Sequence, residues 1–144
     1  MPTIRCARTY DAPALAGLCG ELGYPATRQQ MVARLAAIEA APAAKVFVAE
    51  DAQGAVVGWL QIAQSPYLAD GDVAEILGLV VATGVRGGGV GAALVEAAQT
   101  WASGRGAAEL RVRSRVERER AHRFYERAGF LRSKTQHVLH KPLA

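Results

Sequence analysis

Apolar positions recur along this chain with two periods, and the change between them sets out its elements. Thr3 to Cys6 reads as a short strand. Leu15, Leu18, Cys19 and Leu22 then repeat at helical spacing, with Asp11 expected as N-cap, Pro13 in the first turn and Gly23 as the stop. Thr27 and Gln30 stand at capping-box spacing ahead of Met31, Leu35 and Ile38, which predicts a second helix ending before Pro42. From Lys45 the pattern turns to strands: Lys45 to Glu50, Val56 to Ala63 across the turn at Asp51 to Gly54, and Val73 to Val81 after a longer connection containing Pro66 and Asp70-Gly71. A glycine-rich loop leads into a helix over Val90 to Ser103, whose Val90, Leu94, Ala98 and Trp101 share one side; Gly104 and Gly106 close it. Glu109 to Arg113 is a strand, Arg118 to Ala128 a charged helix ended by Gly129, and Phe130 to Leu131 with Gln136 to Leu139 suggest two last strands.

A meander of strands that gives way to strand–helix alternation predicts an α/β domain, one mixed sheet with helices on both faces. Its length of 144 residues is that of one domain, 1–144, with no internal repeat or linker. The apolar fraction of 51% and charged fraction of 21% fit a globular chain, and no apolar run reaches the roughly 18 residues of a membrane span. Met1 to Cys6 carries no signal-peptide core, and Cys6 and Cys19 stand at no metal-ligand spacing. The expectation is a cytoplasmic protein with free thiols and no metal.

The glycine loop, Arg86-Gly87-Gly88-Gly89-Val90-Gly91, lacks the Lys-Ser/Thr of a P-loop. A dinucleotide fingerprint can be forced onto Gly87, Gly89 and Ala92, but that motif belongs after the first strand of its unit, not after several. What remains is R-x-x-G-x-G between strand and helix. Free N–H groups at a helix start, the positive end of its dipole and the absence of Cβ atoms together suit a pyrophosphate. The plainer alternative is a flexible turn whose glycines serve packing.

About 35 residues on stands Ala121-x-x-Phe124-Tyr125-Glu126-x-x-Gly129-Phe130. The two motifs in this order resemble the GNAT superfamily, the acetyl-CoA-dependent N-acetyltransferases. The likeness covers roughly the last 70 residues by motif and the rest by element order. It implies a mostly antiparallel sheet of six to seven strands with a splayed central pair, Val73 to Val81 against Glu109 to Arg113. The pantetheine arm of acetyl-CoA would lie in that gap on backbone groups of Leu79, Val80 and Val81, with the pyrophosphate on Arg86, Gly87, Gly88, Gly89, Val90, Gly91 and Ala92. Tyr125 would protonate the leaving thiolate. As a plain reading Tyr125 is an aromatic core residue, but helical spacing sets Arg118, His122 and Tyr125 on one face and Ala121, Phe124 and Ala128 on another, so Phe124 suits that role. Many members carry Asn where this chain has Arg118, which is retained as a candidate contact to a cofactor phosphate, with a side chain that simply faces solvent as the plain alternative.

Acetyl transfer requires a neutral amine, and deprotonating an alkyl ammonium of pKa about 10.4 at pH 7 costs roughly 4–5 kcal/mol. Glu75 is the candidate base, a carboxylate inside the apolar strand Ala74-Glu75-Ile76-Leu77, with His122 or an ordered water as alternatives. In the histone-acetyltransferase branch a base glutamate stands eleven residues before the R/Q-x-x-G-x-G motif, the separation of Glu75 from Arg86. An ordinary edge glutamate is the plain alternative.

Net charge is +4, unevenly placed: residues 1–104 hold six Lys/Arg and nine Asp/Glu, net −3, and 105–144 hold eleven and four, net +7. The basic third reads as a solvated helix face with pairs such as Glu119 and Arg123, or as an attraction for coenzyme A. The absence of aromatic interleaving and of a helix-turn-helix argues against nucleic acid. The acceptor site falls by resemblance at Tyr24 to Thr27 and Arg132 to Lys134, with Tyr67, Asp70 and Asp72 bordering it. The acidic first two-thirds favours a cationic small-molecule or peptide amine: an aminoglycoside, a polyamine or a lysine. The alternative function is a non-catalytic acyl-CoA sensor, and the resemblance allows a homodimer through the C-terminal strands.

Overall fold

The computed structural model describes residues 2–144. Its backbone divides into two compact units, one running to Arg113 and the other Ser114–Ala144. The first holds one five-stranded sheet in the order β1-β2-β3-β4-β5. These are β1 (Thr3–Cys6), β2 (Ala44–Glu50), β3 (Val56–Tyr67), β4 (Gly71–Val81) and β5 (Glu109–Val112). Neighbours are antiparallel except β4 and β5, which run parallel, so the sheet is mixed.

Helices α1 (Ala12–Leu22), α2 (Arg28–Ala40) and α3 (Val90–Gly104) belong to this unit. The α2 capping box forms: Gln30 N–H donates to Thr27 Oγ1 at 3.0 Å, and Thr27 N–H to Gln30 Oε1 at 2.9 Å. Gly23 ends α1 at φ 93°, a left-handed conformation open to glycine. Asp11 does not cap α1 with its side chain. Its buried carboxylate accepts two bonds from Arg5, at 2.8 and 2.9 Å, and one from Arg8 N–H at 2.7 Å, which joins β1 to the 3-10 turn ahead of the helix. Burial would push the Asp11 carboxyl up, but the Arg5 guanidinium and the Arg8 N–H outweigh it and hold it below the usual carboxylate range.

The apolar sides of α1 and α2 pack Ala12, Leu15, Met31 and Leu35 against Val46, Val48 and Trp59 on one face of the sheet. Gly58, next to Trp59, faces the other way: a Cβ there would lie 3.1 Å from Val90 and 3.2 Å from Leu94 of α3. Helices therefore cover both faces, as the alternation of elements predicts.

The second unit contains α4 (Glu119–Arg127) and an irregular tail. The strands expected at Phe130 to Leu131 and Gln136 to Leu139 do not form, so the sheet has five strands rather than six to seven. A strand exists through its ladder, and runs this short bury no face of their own. Leu131, Val138 and Leu139 are 92%, 85% and 90% exposed. Among the described residues no helix is long and apolar enough to cross a membrane.

Candidate active site

The centre of the first unit is an interruption in β4. Gln61 of β3 pairs with Gly78 and Ile62 with Ile76, so Leu77 is an extra residue, a β-bulge. Pairing with β5 covers Val73 to Ile76 and stops there. Among the described residues no strand lies beside the far side of β4 from Leu77 onward, and Leu77 stands exposed in mid-strand. Ala82 N–H donates to Val57 O at 2.8 Å, toward β3. Backbone groups alternate sides along a strand, so those of Val81 and Leu79 point to the open side while those of Val80 turn to β3. Consistently, the Val81 carbonyl is free to accept from Arg86 Nε at 3.4 Å. The β4–β5 pair lies at the edge of the sheet rather than at its centre, and beyond the end of β5 at Val112 the open side of β4 offers Leu79 and Val81 as hydrogen-bonding partners for an extended ligand.

This open edge runs through a 3-10 turn (Thr83–Val85) into the glycine loop. Gly87 and Gly89 adopt φ of 86° and 85°, with open space where a Cβ would stand. Gly88 is tight for another reason, since a Cβ there would come 3.2 Å from Val85 O. Gly89 is the N-cap of α3 and supplies no side-chain acceptor, and no acidic residue lies in the first turn. The first backbone bond joins Ala93 N–H to Gly89 O at 3.0 Å, which leaves the N–H groups of Val90, Gly91 and Ala92 ahead of the ladder. Unlike α2, α3 begins with donors that no side chain of its own answers, at the positive end of its dipole. Arg86 is exposed beside them. The residues present suit a polyphosphate, with backbone N–H donors and one exposed cation.

Glu75 precedes the bulge and is buried, paired across the sheet with Ala63. Its Oε2 lies 3.7 Å from Arg113 Nη1, and its buried Oε1 has no hydrogen-bond partner. On the same face the Trp59 ring lies against Gly78, where a Cβ would be 2.7 Å from a ring carbon. An unmatched carboxylate oxygen and an aromatic ring thus share the sheet face beside the open stretch of β4. Trp59 lacked any motif to mark it; its signal was a large aromatic paired beside a strand glycine.

Tyr125 lies in the second unit. It is half-buried between two rings, 5.1 Å from Phe124 and 5.5 Å from Phe130, edge-on to each. Burial pushes its phenol up against a smaller opposing pull from Arg118, so it stays protonated at neutral pH. Phe124 is half-buried like Tyr125, so the helix does not sort the two rings as sharply as spacing suggests. His122 Nε2 bonds the Arg115 carbonyl at 2.7 Å; a carbonyl accepts, so this nitrogen carries the proton. Arg118 is the exposed N-cap of α4.

Part of the basic third is neutralised locally. Arg111 pairs with Asp70 at 3.1 Å and Glu109 at 3.0 Å and lies over the Tyr67 ring, so Asp70 and Tyr67 brace the β3–β4 hairpin. Arg132 pairs with Glu126 at 3.6 Å. Among the described residues no group of His, Cys, Asp and Glu could hold a metal ion.

Residues 15–130 match the family model described as Acetyltransferase (GNAT) family, and the chain belongs to that family. The match runs across both units. An aminoglycoside N(6')-acetyltransferase type 1 of Klebsiella aerogenes is 29% identical over 99% of this chain and 97% of its own length. Another of that name from Stenotrophomonas maltophilia is 34% identical over 90% and 86%. Among solved structures, AAC(6')-Iy in complex with the bisubstrate analog CoA-S-monomethyl-acetylneamine superposes with a TM-score of 0.86 over 99% of each chain at 21% identity, a likeness of fold. The protein is an acyltransferase, an acetyl-CoA-dependent N-acetyltransferase.

Proposed function

We propose that this chain, acting as one domain over 1–144, moves the acetyl group of acetyl-CoA to a primary amine of a cationic small molecule of the aminoglycoside kind. The observation that carries the chemistry is the open edge of β4 after Ile76, which leads into the uncapped start of α3. The pantetheine arm lies along Leu79 and Val81, and the pyrophosphate meets the N–H groups of Gly87 and of Gly89 to Ala92 with Arg86, while Gly88 N–H holds the turn on Val85 O. Arg118 is a further contact to the cofactor. The acceptor class is supported by two relatives that match nearly end to end and by the acidic balance of residues 1–104.

The amine nitrogen attacks the thioester carbonyl carbon directly. Glu75, through its unpartnered oxygen or an ordered water, takes the proton from the incoming ammonium. A backbone N–H on the open side of β4 steadies the oxyanion. The C–S bond then breaks, and Tyr125 protonates the thiolate. Its raised pKa keeps that proton in place until it is needed. The cysteines are free, which suits a reducing, cytoplasmic setting. The exposed Leu131, Val138 and Leu139 support association of two copies through their C-terminal residues, which sedimentation would read as twice the chain mass.

The test is thiol release from acetyl-CoA with aminoglycosides, polyamines and lysine peptides as acceptors. Turnover with aminoglycosides, lost in Tyr125→Phe while CoA binding persists, is the expected result. Turnover confined to neutral or anionic amines overturns the acceptor assignment. CoA binding without turnover on any amine leaves the acyl-CoA sensor in its place.

A further inference from the structure

One polar contact in the first unit lies outside all of these roles. Glu21, in the last turn of α1, accepts from Thr83 Oγ1 at 2.6 Å and from Thr83 N–H at 3.3 Å, across 62 residues of chain. The short hydroxyl bond is charge-assisted. Thr83 is the first residue of the 3-10 turn between β4 and the glycine loop. From there two turns follow in series: Val85 N–H closes on Ala82 O at 3.1 Å, and Gly88 N–H on Val85 O at 3.3 Å. The loop's shape is therefore passed forward from Thr83. Gly84, Gly87, Gly88 and Gly89 give this stretch little stiffness of its own, and fixing each residue costs roughly 1–2 kcal/mol in backbone entropy.

We propose that Glu21 is a positioning residue for the cofactor loop: by holding Thr83 it pre-orders the turn that aims the N–H groups of Gly87 and of Gly89 to Ala92, and so sets the affinity for acetyl-CoA. The proposal rests on the acetyl-CoA reading of that loop. Glu21 touches no reacting atom. It is exposed, and an exposed polar contact of this kind contributes little to global stability, so its effect is local. The carboxylate is kept ionised chiefly by the Thr83 hydroxyl and N–H, with Arg86 adding to them. Glu21 is also two residues from the left-handed Gly23 that starts the α1–α2 connection, so the contact ties that connection to the cofactor loop.

The test is CoA titration by calorimetry, with steady-state kinetics on an accepted amine, for wild type, Glu21→Ala, Thr83→Val, the double variant and Thr83→Ser. Glu21→Ala and Thr83→Val are each expected to raise the CoA Kd and the acetyl-CoA KM about tenfold, through lost pre-organisation. The kcat at saturating acetyl-CoA and the KM for the amine stay within about twofold, because no catalytic group is touched. The double variant matches Glu21→Ala, since that variant already removes both bonds and Thr83→Val removes only the hydroxyl one. Thr83→Ser keeps the hydroxyl and the wild-type Kd, which separates the contact from general damage. Single variants within twofold of wild type overturn the proposal. So do independent effects in the double variant, or tighter CoA binding by Glu21→Ala, which would make the carboxylate a mere repulsion toward the pyrophosphate. Failure of wild type itself to bind CoA overturns instead the reading of the loop on which this rests.

Discussion

Two acidic side chains are buried in the sheet unit, and their surroundings separate them. Asp11 has both oxygens answered by Arg5 and a further bond from Arg8 N–H. Glu75 has one oxygen near Arg113 and one with no partner. Buried polar atoms are nearly always satisfied, and the exceptions concentrate at sites with work to do. Asp11→Asn removes the charge opposite Arg5 and is expected to cost about 3 kcal/mol, read as a lower urea midpoint at pH 7. Asp11 has a folded pKa below its unfolded value of about 3.9. Its contribution is therefore full above the unfolded value and disappears as pH falls through the folded one, so wild-type and variant stabilities converge in acid. Glu75→Gln is expected to leave the urea midpoint within about 1 kcal/mol and to lower kcat/KM roughly 10²–10⁴-fold. It also alters the pH–rate profile, as loss of the proton acceptor requires. An unchanged profile removes Glu75 as the base. The sequence does not separate these two roles, because Asp ahead of Pro13 looks like a helix cap whichever partner its carboxylate takes.

At the scale of elements, the bulge at Leu77 shapes the site more than any single side chain. It ends the β4–β5 ladder, and it sets Gly78 beneath the Trp59 ring. Gly78→Ala would place a methyl 2.7 Å from a ring carbon and force the indole off the strand, at about 1–3 kcal/mol by urea unfolding. If the indole floors the acceptor cleft, the KM for the amine rises as well. The helices were legible because their ends carry chemistry: Thr27 with Gln30, and Gly23 at positive φ, act through groups that a sequence displays. The glycine loop was legible for the same reason. The bulge was not, since Glu75-Ile76-Leu77-Gly78-Leu79 reads as one apolar run whether or not a residue is inserted. The two C-terminal strands failed in the opposite direction. A short stretch such as Gln136 to Leu139 states only what a segment could pair with, and no ladder forms there among the described residues.

For the whole molecule, ligand linkage joins these local features into one measurable quantity. Any ligand bound by the folded chain alone stabilises it by RT ln(1 + [L]/Kd), about 2.7 kcal/mol at a hundredfold excess over Kd. For a chain of 144 residues this is roughly 5–11 °C in Tm. Acetyl-CoA is expected to give a rise of that order, and S-acetylpantetheine, which has the arm and thioester but no pyrophosphate, a much smaller one. The difference isolates what the N–H groups at the start of α3 and Arg86 contribute. Gly89→Ala should shrink it further, because the N-cap conformation at φ 85° is strained for any residue with a Cβ. The seven excess positive charges of residues 105–144 add a second handle. If they draw in the anionic cofactor, the acetyl-CoA shift falls between 50 and 500 mM salt while that of the uncharged arm holds steady. Equal shifts for the two ligands would mean that the open edge of β4 alone holds the cofactor and that the glycines serve only to start a helix.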